Sequence, residues 1–312
     1  MPPEPLVSIL INNHNYGRYL RACITSALEQ SYRPVEVVVV DDGSTDDSVA
    51  IIRSYGADVV ALCQENGGQA SAFNSGFAAS RGDIVCLLDS DDLFLPGKVW
   101  TVVDLLSSKA EAGWCFHDLQ PIDEAGAFLG AIPPGADTLV RDLRDDLVRG
   151  RMDYVPPATS GLCFRQTLLK RILPMPESAG ITLHDNYIKF AALSLAPGIA
   201  TAARLACQRH HGANAYTGRG RRPQGQVAVH TAYWLRRRFP HLDRFSRNLL
   251  AGGLGTLAAT GGPDPAAQRL ADECLAGLPA WQRVEVILRA QRERWRRDPA
   301  RRAAVAEAAP AP

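Results

Sequence analysis

The chain has 312 residues, of which 34 are Lys or Arg and 33 are Asp or Glu, so its formal net charge at pH 7 is +1. This length suits one large α/β domain with an appended piece, or two modest domains. The near-neutral balance gives no reason to expect a nucleic acid as a partner.

The sequence also bears on the cellular compartment. No apolar run approaches the roughly 20 residues that a membrane-spanning helix requires. The seven cysteines are scattered and form no CxxC pair, which is typical of core residues in a reducing compartment. The first predicted strand begins at Leu6, which leaves no room for a signal peptide before it. We therefore expect a cytoplasmic protein.

The first hundred residues alternate between predicted strands and predicted helices. Short apolar runs rich in Val and Ile predict the strands 6–11, 35–40, 59–63 and 84–88. Apolar residues at helical spacing predict the helices 19–30, 70–80 and 99–106. A further short helix ends at Tyr55, and Asp46 or Asp47 is expected to cap it. This order predicts an α/β fold with a mostly parallel sheet and helices on both faces.

Acidic residues follow two of these strands where the strands end. Asp41 and Asp42 follow the second strand, and Asp89 and Asp91 follow the fourth. Because ligands of open α/β sheets bind outside the carboxyl ends of the strands, we expect these carboxylates at the rim of one crevice. Crowded carboxylates repel one another unless a cation lies between them, and Mg²⁺ is usually held by one or two carboxylates together with substrate phosphates. The same run also fits a solvated acidic turn that caps the helix after Pro96.

A glycine turn precedes the helix 70–80. Gly67 and Gly68 permit a sharp turn and close approach of the backbone to a ligand, and the amides at the helix start would face the same crevice. The alternative interpretation is a glycine turn that has no role in ligand binding.

Beyond residue 98 the alternation of strands and helices becomes less regular. Strands are predicted at 114–116, 162–164 and 204–208, and helices at 143–148, 167–173 and 187–195. From residue 224 onward the pattern is only helical. We therefore divide the chain into a domain over 1–222, with halves at 1–98 and 99–222, a helical region over 223–299 and a disordered tail over 300–312.

The last predicted helix, about 281–297, has an apolar side with arginines around it. Its apolar residues recur at helical spacing and are Trp281, Val284, Ile287, Leu288 and Trp295. A basic amphipathic helix of this kind can lie on a membrane surface, which would place the protein at the inner face of the plasma membrane. An apolar side more often packs on its own domain, and we expect packing here.

Four motifs, taken in order, resemble those of the family 2 glycosyltransferases with the GT-A fold. They are residues 7–11 (VSILI), 38–46 (VVVDDGSTD), 66–68 (NGG) and 87–92 (LLDSDD). The resemblance is dense over residues 6–98, thinner to about 214, and absent beyond. It implies a Rossmann-like GT-A sheet and the transfer of a sugar, with inversion, from a nucleotide-diphosphate donor to an acceptor hydroxyl. The expected donor nucleotide is UDP.

On the donor side, the resemblance assigns roles to carboxylates at the strand ends. Asp89 and Asp91 stand where the family has its DxD motif, whose first residue faces the ribose and the metal and whose last residue ligates the metal, Mg²⁺ or Mn²⁺. Asp92 matches a supporting or capping position. Either Asp41 or Asp42 resembles the carboxylate that recognises the base.

Three further segments carry residues that the resemblance places at the site. Asn13 falls in the nucleotide-contacting turn, although this chain reads NNHN over residues 12–15 where the family usually has PTYN. Ser160 and Gly161 resemble the segment that lines the sugar or acceptor pocket, and Gly68 belongs to the glycine turn. His211 with Asn214 resembles a late His-x-x-Asn element, whose His approaches the metal or the diphosphate.

The acceptor side depends on a different set of residues. Asp185 matches the family's general base, the Asp of a Glu-Asp pair, with His184 in place of the Glu; otherwise Asp185 caps the helix 187–195. The loop 212–222 is a candidate for closing over the donor. Its arginines are Arg219, Arg221 and Arg222.

The resemblance implies a nucleotide-sugar donor and a carbohydrate, lipid-linked or small-molecule acceptor, as in polysaccharide biosynthesis at the cell envelope. Other readings are a haloacid-dehalogenase-type phosphatase with Asp89 as nucleophile, a sugar-nucleotide pyrophosphorylase, and a non-catalytic relative that only binds sugar nucleotides. The phosphatase fold would have its nucleophile near the first strand, whereas three strands precede Asp89 here, which argues against a phosphatase. This chain lacks, after its first strand, the Gly-rich opening that sugar-nucleotide pyrophosphorylases have. The presence of Asp89, Asp91 and Asp185 together argues against a non-catalytic relative.

Overall fold

The computed structural model describes residues 4–130, 137–177, 185–212 and 220–297. The chain divides into two compact units. The first comprises Met1–Asp145, Asp153–Glu177 and Ile188–Gly212, and the second comprises Asp146–Met152, Ser178–Tyr187 and Ala213–Pro312.

The first unit is built on one mixed sheet. Its strands are β1 Val7–Asn13, β2 Val35–Asp42, β3 Val60–Gln64, β4 Ile84–Asp89, β5 Leu93–Phe94, β6 Trp114–Ile122, β7 Thr138–Arg141, β8 Leu162–Arg165 and β9 Gly198–Arg209. They lie in the order β3-β2-β1-β4-β8-β6-β9-β5, with β7 also paired to β9. The strands β1 to β4 are mutually parallel, whereas β8 is antiparallel to both of its neighbours. This arrangement confirms the expected α/β, Rossmann-like class.

Eleven α-helices accompany the sheet in the described part of the chain. The first seven are α1 Gly17–Leu28, α2 Ser48–Arg53, α3 Gly68–Ala79, α4 Lys98–Ser108, α5 Arg144–Val148, α6 Gln166–Ile172 and α7 Asp185–Leu195. The last four are α8 Arg221–Arg238, α9 Asp243–Ala258, α10 Pro265–Ala276 and α11 Ala280–Arg297. Asp47 occupies the N-cap position of α2 without a side-chain capping bond, while Asp46 Oδ1, one residue earlier, accepts the Ser48 amide at 3.0 Å.

Helices cover both faces of the parallel strands, which explains why these strands are apolar throughout. Leu20 and Ile24 of α1 share a buried cluster with Ile9 and Val39 on one face. On the other face α3 lies so close that a Cβ on Gly76 would meet the Leu10 side chain at 2.0 Å. A strand buried on both sides has no polar face, so its sequence reads as a continuous apolar run.

Three parts of the structure differ from the sequence-based expectation. Strands β6 and β9 are longer than predicted, and β7 was not predicted. Where β propensity is weak, as in the Ala-rich start of β9, pairing with neighbouring strands decides whether a strand forms. Helix α8 begins at Arg221, so Arg221 and Arg222 are helical and not part of a loop. Pro223 is tolerated there because amides of the first helical turn have no intrahelical acceptor.

The second unit contains the helices α8 to α11, whose buried residues form a core of their own. That core includes Val229, Leu250, Leu257, Leu270 and Val286. We expected the apolar side of the last helix to pack on the chain itself. The structure contradicts this expectation for its five apolar residues, which are 41% to 66% exposed. Among the described residues, no helix is both long and apolar enough to cross a membrane.

A buried carboxylate at the amino ends of β1 and β2 holds the turn before β4. Glu36 accepts hydrogen bonds from Ser8 Oγ at 2.6 Å and from the Arg81 backbone amide at 2.6 Å. Arg81 also forms an ion pair with Glu36 at 2.9 Å. Burial by itself raises the pKa of Glu36, but the bonds from Ser8 and Arg81 outweigh it and hold the pKa below its ordinary value of 4.5.

Replacing Glu36 with Gln is therefore expected to lower the free energy of unfolding by about 1–2 kcal/mol at pH 7. The folded-state pKa lies below that of the unfolded chain, so the charge contributes above the unfolded pKa and is lost as the pH falls through the folded one. Denaturant unfolding at neutral and at acid pH measures this, with the exposed Glu29→Gln as control. A difference that stays constant down to acid pH would contradict the prediction.

Candidate functional site

The parallel strands bring three polar ends to one edge of the sheet. In the register of the sheet Asn12 lies beside Asp89, and Asn13 lies beside Asp41. The last residues of β1, β2 and β4 therefore end at the same level. The crevice expected from the sequence lies outside this edge.

The pleat of β2 turns Asp41 and Asp42 to opposite faces of the sheet. Asp41 faces the α1 side, where its carboxylate accepts Asn13 Nδ2 at 2.8 Å and the Ser44 amide at 3.0 Å. Asp42 lies on the same face as Val40, which pairs through Asn12 with Asp89. Of the two carboxylates, only Asp42 thus shares a face with the first residue of the DxD motif.

The glycine turn before α3 is anchored on Asp42. Its carboxylate accepts the amides of Gly67 at 2.9 Å and Gly68 at 2.8 Å, and Gln64 Nε2 at 2.8 Å. Gly68 has a φ of +81°, a conformation that side chains rarely adopt. The two glycine amides and Gln64 thus fix the Asp42 carboxylate, in which Oδ2 accepts one of the two hydrogen bonds that its lone pairs allow.

Asn12 is a polar residue of this edge that the sequence did not single out. Both its Nδ2 and its Oδ1 are buried and have no hydrogen-bond partner among the described residues. Asn13 Oδ1 is in the same position. A buried amide without a partner is unfavourable, and Asn12 lies directly beside Asp89 in the register. The Asn12 amide is therefore a buried polar group beside the DxD motif that has no partner among the described residues.

Asp91 and His211 form a close pair although 120 residues separate them in the chain. Asp91 Oδ2 lies 3.0 Å from His211 Nε2, and the His211 side chain is only 1% exposed. The imidazole packs beside Tyr19 at 4.8 Å and Tyr16 at 5.7 Å between ring centroids. These two tyrosines at the start of α1 fix the ring plane and leave the nitrogen facing the carboxylate.

The pair fits a divalent cation. Two ligand atoms in adjacent positions around Mg²⁺ or Mn²⁺ lie about 3 Å apart when each metal–ligand distance is about 2.1 Å. Of the two side chains, the carboxylate is the kind of ligand that suits Mg²⁺ and Mn²⁺. The described residues contain no group of three or more His, Cys, Asp or Glu side chains arranged as a complete metal cage. The fit is thus to an ion that takes its other ligands from water or from substrate oxygens.

Asp92 holds the acidic turn to two distant segments. Its carboxyl accepts Ser160 Oγ at 2.6 Å and the Arg209 amide at 2.8 Å. Burial, and then the negative charge of Asp91, raise the pKa of Asp92 to about 8. Arg209 Nε also donates to the Asp91 carbonyl at 2.9 Å. The end of β9 thereby fixes both the backbone and the side chains of the DxD turn.

Ser160 and Gly161 lie in the interior beside this turn. Ser160 Oγ donates to Asp92 and accepts the Asp89 amide at 3.1 Å, so both hydrogen-bonding functions of the hydroxyl are in use. A Cβ on Gly161 would meet the His117 carbonyl at 2.5 Å. The described contacts of both residues are structural, and we propose that they position the turn instead of contacting the sugar.

A buried lysine below the turn was not predicted to belong to the site. Lys98 Nζ donates to the Ser160 carbonyl at 3.2 Å and lies 3.1 Å from the centroid of the Phe94 ring. Burial lowers the pKa of Lys98. Lys98 follows the DxD motif by seven residues and Arg209 precedes His211 by two. Nothing in the sequence around Lys98 or Arg209 indicates these contacts.

Asp185 is the first residue of α7 and is half-buried. It falls in the second compact unit, whereas Asp42, Asp89, Asp91 and His211 fall in the first. Its role as the general base therefore stays a prediction. The other predicted site residues, His184, Asn214 and Arg219, lie outside the described residues.

The sequence contains two His-Asp doublets, His117-Asp118 and His184-Asp185, which could suggest a metal-dependent phosphohydrolase. The first of them has a structural explanation. His117 is buried, its Nδ1 lies 2.9 Å from the Asp118 carbonyl, and burial lowers the pKa of the imidazole. A neutral histidine inside the sheet gives no support to a metal-dependent phosphohydrolase.

Residues 8–123 match the family described as Glycosyl transferase family 2. An uncharacterized glycosyltransferase of Nostoc is 32% identical over 212 residues, which cover 67% of this chain and 66% of that protein. The glycosyltransferase GlyG of Streptococcus pneumoniae is 35% identical over 142 residues, covering 44% and 47%. Chondroitin synthase of Escherichia coli is 35% identical over 125 residues, covering 39% and 18%. The chain thus spans less than two thirds of the length of these relatives.

Among solved structures, the fold is similar to Staphylococcus aureus TarS. TarS residues 1–349 in complex with UDP-GlcNAc align with a TM-score of 0.59 and 16% sequence identity, over 86% of this chain and 79% of that one. An identity this low shows the fold alone, which is the GT-A fold. Together with the strand-end carboxylates in the order that the family has them, these matches show that the chain belongs to glycosyl transferase family 2.

Proposed function

We propose that this protein transfers a sugar, with inversion, from a nucleoside-diphosphate donor to an acceptor hydroxyl. The observation that carries the proposal is the pair formed by Asp91 Oδ2 and His211 Nε2, 3.0 Å apart at the carboxyl edge of the sheet. In that place the two side chains can hold a cation against a diphosphate, whose negative charge grows as the leaving group departs.

UDP is the proposed nucleotide. The similar TarS structures contain UDP or UDP-GlcNAc, and uracil carries an N3–H that a carboxylate can accept. Asp42 is the proposed acceptor, since it lies on the face of Asp89 and keeps a lone pair on Oδ2 beside the Gly68 amide.

Mg²⁺ or Mn²⁺ is the proposed cofactor, and Asp89, Asp91 and His211 are the residues that would hold it with the diphosphate. The ion would supply charge neutralisation of the leaving diphosphate. Arg209, Ser160 and Lys98 keep the turn that carries the two aspartates in one conformation, which preorganises the site before donor binds.

Asp185 is the proposed general base. In a single displacement the acceptor oxygen attacks the anomeric carbon as its proton leaves, so a carboxylate has to receive that proton. The acceptor is proposed to be a carbohydrate, a lipid-linked precursor or a small metabolite. One relative is a chondroitin synthase, which favours a role in polysaccharide synthesis, on the cytoplasmic side of the cell envelope.

The proposal is tested by measuring the melting temperature of the full chain with UDP, GDP, ADP, CDP and TDP, each with and without Mn²⁺. A ligand that binds only the folded state raises the melting temperature. We expect a rise with UDP that requires Mn²⁺, followed by release of UDP from a UDP-sugar when acceptor is present. No rise with any nucleotide would contradict it. Hydrolysis of a simple phosphate ester, lost in Asp89→Asn, would instead favour the phosphatase.

Replacing Asp42 with Asn is expected to weaken UDP binding by about tenfold and to narrow the preference for UDP over CDP. A carboxylate accepts from the uracil N3–H, whereas an amide can also donate to cytosine N3. Isothermal titration with both nucleotides measures this. Asp41→Asn is the matched control, since Asp41 faces Asn13 and Ser44 on the other side of the sheet. Equal weakening for UDP and CDP would reduce Asp42 to an anchor of the glycine turn.

A further inference from the structure

Helix α11 presents an apolar surface to solvent along most of its length. The exposed apolar residues are Trp281, Val284, Ile287, Leu288 and Trp295, which are 41% to 66% exposed. At about 100° per residue they fall within one side of the helix. Isolated exposed apolar residues need no explanation, but five on one helix face mark an interaction surface.

The opposite side of α11 is used for packing within the second unit. Val286 is buried in the core of that unit. The helix lies so close to α9 that a Cβ on Gly255 would meet the Ala290 carbonyl at 2.6 Å. The orientation of α11 is therefore fixed by its inner side, and its apolar outer side is left facing outward.

The charges of α11 are divided between the same two sides. Its acidic residues are Glu285 and Glu293. Glu285 pairs with Arg247 at 2.8 Å and with Arg289 at 2.8 Å, and Glu293 pairs with Arg297 at 3.3 Å. Both glutamates are half-buried, and their charges are paired with arginines of the same unit.

The exposed residues of α11 include no acid. Its exposed charged residues are Arg283, Arg292, Arg294 and Arg296. On the helical projection Arg292 and Arg294 border the two edges of the apolar face. The outer side of the helix is thus apolar in its middle, apart from the exposed Gln291 that falls within it, and cationic at its margins.

The two tryptophans lie at opposite ends of this face. Fourteen residues separate Trp281 from Trp295, a distance of about 21 Å along the helix axis. Indole rings favour the boundary between water and hydrocarbon, where the ring is apolar and the N–H stays hydrated. A helix with Trp and aliphatic residues on one side and arginines beside them matches the composition of helices that lie in the plane of a bilayer surface.

We propose that α11 docks this protein onto a lipid bilayer with anionic headgroups. The apolar face enters the region between headgroups and acyl chains, and the bordering arginines contact the lipid phosphates. This goes beyond the proposed glycosyl transfer and does not depend on it, since no residue of α11 belongs to the candidate site.

A second copy of the chain fits this surface less well. A twofold dimer would place the same face against itself, and each copy would bring the same exposed arginines with no exposed acid on α11 to oppose them. Repulsion between these arginines would oppose such a pairing. An anionic bilayer offers both the apolar depth and the opposite charge.

The full chain is tested by flotation with vesicles of phosphatidylcholine alone and of phosphatidylcholine with phosphatidylglycerol in equal parts. We expect binding to the anionic vesicles that is more than about tenfold stronger than to the neutral ones, and that weakens at high salt because the charge contacts are screened. Emission of the exposed tryptophans should shift to the blue on binding.

Variants separate the apolar and the ionic contributions. Trp281→Gln with Trp295→Gln should abolish binding to both kinds of vesicle, whereas Arg292→Gln with Arg294→Gln should remove mainly the preference for anionic lipid. The matched controls are the exposed Trp100→Gln and the exposed pair Arg53→Gln with Arg269→Gln, which should bind as wild type does. All these positions are exposed, so unchanged melting temperatures are expected.

Two results would overturn the inference. One is the absence of vesicle binding by the wild-type protein, or equal binding by the double tryptophan variant. The other is a dimer in vesicle-free solution that the double tryptophan variant abolishes, because this would assign the face to a second copy. Neither result bears on nucleotide binding, so the inference and the proposed function can fail separately.

Discussion

The Asp91→Asn variant is expected to lose Mn²⁺-dependent binding of UDP, and sugar transfer should fall by on the order of 100-fold or more. Asp91 is one of two side chains that meet at the proposed cation position, with Oδ2 3.0 Å from His211 Nε2. The amide of Asn keeps the shape of the side chain but removes its charge, so the turn is retained while the cation loses a hard anionic ligand.

Titration of UDP with and without Mn²⁺ measures the first effect, and initial rates with saturating donor measure the second. Asp104→Asn, an exposed carboxylate on α4, removes the same charge away from the site and should behave as wild type. The melting temperature of the variant without ligand should be retained. Unchanged affinity for UDP with Mn²⁺ in Asp91→Asn would remove this pair from the site.

A double variant tests whether Asp91 and His211 hold the same ion. If they do, His211→Gln alone should weaken Mn²⁺-dependent binding, and adding it to Asp91→Asn should cause little further loss, because residues that act as a unit are not additive. Independent roles would give additive losses.

The donor half of this site could be predicted because it is local in sequence. Each of the carboxylates Asp42, Asp89 and Asp91 follows an apolar strand directly, and parallel strands end at one edge of the sheet, so their proximity follows from the order of elements alone. The sequence leaves both Asp41 and Asp42 as candidates for recognising the base, and our proposal of Asp42 depends on the alternation of side chains along β2. A shift of one residue along β2 moves a side chain to the other face, and the apolar run before them does not say which face the crevice uses.

The contacts that support the DxD turn could not be predicted because they join residues that are distant in sequence. Arg209 reaches Asp92 across 117 residues, and Ser160 reaches it across 68. These contacts exist because β8 pairs with β4 and β9 pairs with β6 in the sheet. The pairing partners of such short strands, which contain Ala and Cys, cannot be predicted from their sequences. The burial of Lys98 could not be predicted either, because a lysine in an amphipathic helix is expected at the surface.

The apolar face of α11 shows a different limit of the sequence. Helical spacing identifies an apolar side but not what covers it. In α11 the side that packs on the chain carries Val286 together with glutamates and arginines paired to one another, as in the ion pair of Glu285 with Arg247. Ion pairs within the unit thus stand where we expected apolar contacts, and the apolar side of the helix is 41% to 66% exposed.

The Asp185→Asn variant is expected to transfer sugar about 10²–10⁴-fold more slowly while its affinity for UDP with Mn²⁺ stays that of wild type. An amide cannot accept the proton of the acceptor hydroxyl, so only the chemical step is affected. Asp185 also lies in the first turn of α7, where a negative charge or a capping side chain stabilises a helix start. A catalytic and a purely structural role therefore have to be separated.

Two substitutions at the same position make that separation. Asn and Ser are both good residues at helix starts, so Asp185→Asn and Asp185→Ser should keep the melting temperature near that of wild type if capping is the only role, and activity should then be kept as well. If Asp185 is the base, both variants lose transfer by a similar factor whatever their stability. Asp264→Asn, at the cap of α10, is the matched control for losing a charge at a helix start. Wild-type turnover in either Asp185 variant would exclude this residue as the base and leave it with the structural role alone.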